Sequence, residues 1–172
     1  ISQYLTSAKI VNFGYHLLQD LSRINEEDEI VSTFGYLSPE SSGILRKPID
    51  ERSDIYSLGI LFYQLLAGRL PYLARDISSL IHQHIATQPA PPSKYNNQVQ
   101  PVLDNIILRL IAKEPSERYQ TLSGLIADLK EYQKQKEEGK TLIDFEIARS
   151  DKLKTLTFST KIIGRDNELK QL

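Results

Sequence analysis

The stretch KIVNFGYHLLQDLSRINEEDEIVSTFGYLSPE, residues 9–40, bears more directly on the fold than any other part of the chain. Its apolar run Lys9-Ile10-Val11 reads as the end of a short hairpin strand, and Phe13-Gly14 reads as a turn. A mostly polar loop follows from Gln19 to Thr33, and Ser38-Pro39-Glu40 has the character of a helix start.

Around this stretch the chain has the balance of a soluble globular domain: 172 residues, 40% apolar and 25% charged. Twenty-one Lys and Arg against 22 Asp and Glu leave a net charge of −1, so no basic field exists to gather nucleic acid or an anionic membrane. The absence of cysteine removes disulfides, thiolate metal sites and thiol nucleophiles together, and is compatible with the cytoplasm, the expected location. The longest apolar stretch, Leu58 to Ala67, is broken by Gly59 and Gln64 and is far shorter than the ~20 residues that span a bilayer. There is no methionine, Ile1 falls within a strand-like pattern and Leu172 within a helix-like one, which is the expectation for an internal piece of a longer protein.

Helical periodicity dominates after residue 50. Ile55, Leu58, Leu61, Phe62, Leu65 and Leu66 recur at helical spacing over Ser53–Ala67, with Gly68 and Pro71 as stop signals. Ile60, Tyr63 and Ala67 fill its other faces, so this helix is expected to be buried on most of its circumference. Asp76 is a cap for a shorter helix carrying Ile77, Leu80, Ile81 and Ile85, which Pro89-Ala90-Pro91-Pro92 ends. Val102, Leu103, Ile106, Ile107, Leu110 and Ile111 mark a third helix. Thr121 caps a fourth with Leu122, Leu125, Ile126, Leu129 and Tyr132. From Lys134 the stripe fades into QKQKEEGKT, read as a solvated helix end and linker.

Four motifs in this order resemble the helical C-terminal lobe of eukaryotic-type serine/threonine protein kinases. They are Lys9-Ile10-Val11-Asn12-Phe13-Gly14; Thr33-Phe34-Gly35-Tyr36-Leu37-Ser38-Pro39-Glu40; Asp54-Ile55-Tyr56-Ser57-Leu58-Gly59 with Gly68-Arg69-Leu70-Pro71-Tyr72 downstream; and Glu114-Pro115-Ser116-Glu117-Arg118-Tyr119. The resemblance implies a mainly α fold with a short β-hairpin remnant at the N-terminus. A truncated C-lobe would occupy residues 1–133, its activation segment residues 12–40, and a charged helix end and linker residues 134–160. Phe158 to Leu169 is similar to the entry of a signalling ATPase domain, which would begin at 161–172; an ordinary helix N-terminus with an exposed Arg165 reads equally well. Protein substrates or signalling partners are implied, with downstream ATPase and sensor domains in the same chain.

Within the resemblance, Asn12 stands where a kinase has the aspartate that holds Mg²⁺ against the ATP phosphates. A hard cation prefers an anionic oxygen, and Asn12 offers one neutral carbonyl; alternatively it serves only the backbone of the turn. Phe13 and Gly14 complete that turn. Thr33 matches the residue that orients the catalytic base, and Tyr36 lines the substrate path. Glu40 and Arg118 match a buried pair that ties the activation segment to the helical subdomain, for which the planar guanidinium suits better than an ammonium. Asp54, at the start of the most apolar helix, is well placed to accept backbone N–H groups and by resemblance holds the catalytic loop. The base itself, the glycine-rich phosphate loop and the ATP-binding lysine would lie upstream of Ile1, so ATP and Mg²⁺ are expected in the full-length parent and no cofactor for this piece alone. Ser22, Ser32 and Thr33 lie where regulatory phosphates occur, without a visible arginine cluster to receive one. His16, His82 and His84 lack metal-ligand spacing.

Two functions fit these residues. One is an ATP-dependent serine/threonine kinase, of which this is an inactive piece; the other is a pseudokinase scaffold that lost metal-dependent transfer at Asn12.

Overall fold

The computed structural model describes residues 34–151. Among them the regular structure is helical: α1 (Glu51–Ala67), α2 (Ile77–Ala86), α3 (Pro101–Leu110) and α4 (Leu122–Glu137), with 3-10 turns at Glu40–Ser42, Pro92–Lys94 and Pro115–Glu117. This is the mainly α architecture of a kinase C-lobe. The expected N-terminal hairpin, the turn at Asn12 and the ATPase-like residues 161–172 lie outside the described residues.

Three of the four helices start where a side chain takes up an orphan N–H. Asp50 accepts from Arg52 N at 2.9 Å, Asp76 from Ser79 N at 2.8 Å and Thr121 from Gly124 N at 3.1 Å. Pro101 opens α3, where its missing N–H costs nothing. Gly68, at φ 72°, ends α1 by donating to Gln64 O at 2.8 Å in a left-handed turn that favours glycine.

α1 crosses α3 at the centre of the core. Ile55, Tyr56, Ile60 and Tyr63 bury one face of α1 against Ile106, Ile107, Leu110 and Ile111. At the crossing, a Cβ on Gly59 would stand 2.6 Å from Leu110 Cβ and 2.7 Å from Ile111 Cγ2, so only glycine permits the approach. Burying each of these aliphatic side chains stabilises the fold by about 1.5–3 kcal/mol.

α1 begins at Glu51, two residues ahead of the expected Ser53, with Asp50 as its cap and Asp54 in its exposed first turn. It is exposed along one stripe, Glu51, Asp54, Leu61 and Leu65, while Leu58, Phe62, Leu66 and Ala67 pack on the core beside the buried 55–56–59–60–63 face. The catalytic-loop contact expected of Asp54 lies outside the described residues.

After α4, Gly139 at φ 77° turns the chain back and residues 143–151 return along the helix. Ile143 is buried, and Phe145, Ile147 and Ala148 pack on the core. The charged tail of α4 therefore leads into a docked segment. No helix among the described residues is long and apolar enough to cross a membrane.

Candidate functional site

Phe34 to Ser42 form a ledge over the N-terminal half of α1. Leu37 N donates to Phe34 O at 3.1 Å, closing a turn around Gly35 and Tyr36. Ser57 Oγ donates to Tyr36 O at 2.8 Å, and the Tyr36 hydroxyl donates to Gln64 Oε1 two turns further along the helix. Tyr36 is thereby held at both its main chain and its phenol. The Ser38 and Ser41 hydroxyls meet at 2.6 Å, and Ser42 Oγ donates to Pro39 O at 2.6 Å, fixing the short helical turn that carries Glu40.

Beneath the ledge Glu40 meets Arg118. Nη1 donates to Oε1 at 2.7 Å and Nη2 to Oε2 at 2.9 Å, the parallel fork that an ammonium cannot make. Ser53 Oγ adds a third donor to Oε1 at 2.6 Å. Arg118 spends its remaining N–H groups on Arg52 O, Ala112 O and Lys113 O at 2.8, 2.8 and 3.1 Å, so all five guanidinium donors are satisfied. Its planar group lies 4.8 Å from the Tyr56 ring centroid. Burial by itself would raise the Glu40 pKa, but the hydrogen bonds from Arg118 and Ser53 prevail and hold it at about 2.

A second buried polar group lies next to this one. Tyr56 OH and His84 Nδ1 are 2.9 Å apart, and the Tyr72 ring meets the His84 ring edge-on with centroids 4.8 Å apart. Lys113 Nζ donates to Tyr72 OH at 2.6 Å and to Gln83 O and His84 O at 3.1 and 2.7 Å, carbonyls near the end of α2, of which Gln83 O also accepts Thr87 N. Burial, then the charge of Arg118, brings the Lys113 pKa down to about 8. Burial, then Lys113, brings His84 down to about 4, and the Gly35 backbone beside the ring offsets only part of this. His84 is thus a neutral core residue beneath the ledge, whereas His82 is exposed.

Of the residues singled out in the sequence, the structure brings together Glu40 and Arg118, which meet α1 at Ser53 and Arg52, and ties Tyr36 to the same helix at Ser57 and Gln64. Asp54 stands one turn from Ser57 on the exposed side of α1. Asn12, Phe13, Gly14 and Thr33 lie outside the described residues. Sequence reasoning missed Ser53, Tyr56 and Arg52; His84, expected to be hydrogen-bonded or solvent-facing and to point away from His82, is hydrogen-bonded to Tyr56 and buried. Among the described residues there is no cluster of three or more His, Cys, Asp or Glu side chains that could hold a metal ion.

The family model for the protein kinase domain matches residues 2–156. The chain belongs to the protein kinase domain family. It is 42% identical over 125 residues to the hybrid signal transduction histidine kinase G of Dictyostelium discoideum, a match covering 73% of this chain and 4% of that protein. It is 35% identical over 125 residues to the serine/threonine-protein kinase PknB of Mycolicibacterium smegmatis and 33% identical over 125 residues to PknB of Mycobacterium tuberculosis, in each case covering 72% of this chain and 20% of the relative. The chain thus spans a fifth or less of the length of these relatives. The buried Glu40–Arg118 pair joins the Phe34–Ser42 ledge to α1 and to the 115–118 turn.

Proposed function

We propose that this chain is the substrate-side lobe of an ATP-dependent serine/threonine protein kinase and that it acts as the platform on which the activation segment and a protein substrate are seated. The observation that carries this reading is the Phe34–Ser42 ledge, pinned to α1 through Tyr36 and to the core through Glu40 and Arg118. Catalysis of phosphoryl transfer is chiefly positioning and electrostatics, so a rigid seat is what this lobe must supply. ATP with Mg²⁺ would provide the phosphoryl group when bound. The chain's own part is to hold the ledge at fixed height and keep water from the ion pair beneath it. The printed names of the PknB relatives support a serine or threonine acceptor. The match to a hybrid signal transduction histidine kinase, 4% of whose length it covers, supports a large multidomain signalling parent.

Asn12 favours a second reading, a pseudokinase scaffold that keeps the architecture and has lost metal-dependent transfer. Loss of a single carboxylate worth ~3 kcal/mol in the transition state lowers turnover by about a hundredfold. The two readings separate in one experiment on the full-length parent, incubated with γ-labelled ATP, Mg²⁺ and a mixed protein substrate, followed by phosphoamino-acid analysis. The kinase reading expects phosphoserine or phosphothreonine from the natural protein and a faster reaction with Asn12→Asp. Absence of label from both proteins overturns it in favour of the scaffold. Residues 1–133 alone are expected to bind no nucleotide, and micromolar binding by calorimetry would contradict that assignment.

A further inference from the structure

We infer that residues 143–151 are a latch seated in a socket on the lobe, and that this latch steadies the anchor of the activation segment. The socket is the start of α4. The Asp151 carboxylate accepts Gln120 N at 2.7 Å on Oδ2, and Thr121 N at 2.9 Å and Thr121 Oγ1 at 3.0 Å on Oδ1. Thr121 Oγ1 simultaneously accepts Gly124 N, so one hydroxyl caps the helix and grips the latch. Gly124 is shaped for the guest: a Cβ there would lie 2.5 Å from Asp151 Cβ and 2.6 Å from Oδ1. A carboxylate at a helix N-terminus is also favoured by the helix dipole.

A second fastening runs in the opposite sense. Ala148 N, on the latch, donates to Asp128 Oδ2 of the lobe at 2.7 Å, and Tyr119 OH donates to the same oxygen. Ala148 sits at φ 59°, a left-handed conformation that a residue with a Cβ adopts only when its surroundings hold it there. Asp128 is buried and needs these donors. Ahead of both fastenings, Ile143 is 2% exposed and Phe145 and Ile147 lie on the core. Lobe and latch thus each present a carboxylate to the other's backbone, next to an apolar stretch.

The socket and the activation-segment anchor share one turn. Gln120, whose N–H the latch holds, donates from Nε2 to Pro115 O at 3.0 Å and Arg118 O at 2.8 Å, and its Oε1 accepts Arg52 Nη1 at 3.1 Å. Arg52 O in turn accepts from Arg118 Nη1, the same nitrogen that holds Glu40. Release of Asp151 would free the Gln120 and Thr121 N–H groups and loosen the turn that positions Arg118. The chain after residue 151 would then act on the ledge through the latch, since any pull or competing contact there bears on Asp151 first. Contiguity alone does not establish coupling, but a latch with a docked and an undocked state supplies the two-state element that coupling needs. The inference stands on this geometry and is independent of the catalytic reading.

Hydrogen exchange on the full chain tests it, with Gly124→Ala as the main variant. Alanine is the better helix former, so α4 itself is not weakened while the seat of Asp151 is filled. The amides of Gln120, Thr121 and Ala148 should exchange about tenfold faster, and those of Ser41, Ser42 and Gly43, which bond within the Glu40 turn, should speed up by about threefold. Asp151→Asn keeps the shape of the side chain and removes its charge. It should show the same pattern in weaker form, and it carries the test if Gly124→Ala exposes every amide together. Unchanged protection at Ala148 and Thr121 would overturn the latch. An opened latch with unchanged Ser41–Gly43 exchange would overturn its link to the anchor.

Discussion

Glu40 and Arg118, 78 positions apart in sequence, face each other across a two-pronged ion pair whose side chains are 1% and 0% exposed. An ion pair removed from water gains little net energy over an apolar pair of the same shape, because desolvation offsets the attraction. What it provides is a single geometry. Five donors and a carboxylate leave Arg118 one arrangement that satisfies all of them, and that arrangement fixes the Phe34–Ser42 ledge to α1 and to the 115–118 turn.

Arg118→Lys should preserve the charge and lose the fork. An ammonium has three donors and no plane to lie on Tyr56, so at least two of the Arg52, Ala112, Lys113 and Glu40 acceptors would be left bare. The urea unfolding midpoint should fall between that of the natural protein and that of Arg118→Ala. Equality with the natural protein would mean that charge alone suffices.

His84 and Glu40 make stability depend on pH in overlapping acid windows. His84 is depressed from 6.5 to about 4 and Glu40 from 4.5 to about 2 in the folded protein. In both cases the unfolded chain takes up the proton first, so the contribution is complete above the unfolded value and is lost as pH falls through the folded one. His84, which faces Tyr56 and Tyr72 with the cations Lys113 and Arg118 nearby, should remove stability between pH 6.5 and 4. Glu40 should remove more from 4.5 downwards, each by on the order of 3 kcal/mol. His84→Gln should flatten the upper window and Glu40→Gln the lower one in urea titrations across this range. Swapped windows would contradict the burial of His84.

Much of this architecture is legible in the sequence because its determinants are local. Asp76 and Thr121 announce their helices, and the apolar spacing from Val102 to Leu110 marks α3. The start of α1 was misplaced because Asp50 caps ahead of the first apolar position, leaving Asp54 outside the cap. Glu40 and Arg118 could be joined only through the kinase resemblance, since no periodicity links such distant residues. The docked 143–151 segment escaped notice because the charged run before it reads as solvent-exposed, and Asp151 meets Gln120 and Thr121 only through the fold. The alternation of Ile143, Phe145 and Ile147 was the available hint.

Gly59→Ala tests the α1–α3 crossing. Helix propensity alone predicts a gain of about 1 kcal/mol. The new methyl would meet Leu110 and Ile111 inside contact distance, and forcing it into a packed core costs about 1–3 kcal/mol. A lowered thermal midpoint is expected. A raised one would show that the helices are not in contact at this residue.

The most direct test of the anchored Phe34–Ser42 ledge is a double-mutant cycle on Glu40 and Arg118, read by urea unfolding of Glu40→Ala, Arg118→Ala and the double variant. Each single substitution leaves an uncompensated buried charge, so each should cost ~3 kcal/mol or more, against the ~0.5 kcal/mol of a surface pair. The double variant should be destabilised by well under the sum, with a coupling of about 2–3 kcal/mol. Strict additivity of the two losses would contradict the pairing, and with it the assignment of Phe34–Ser42 as a ledge fixed to the lobe.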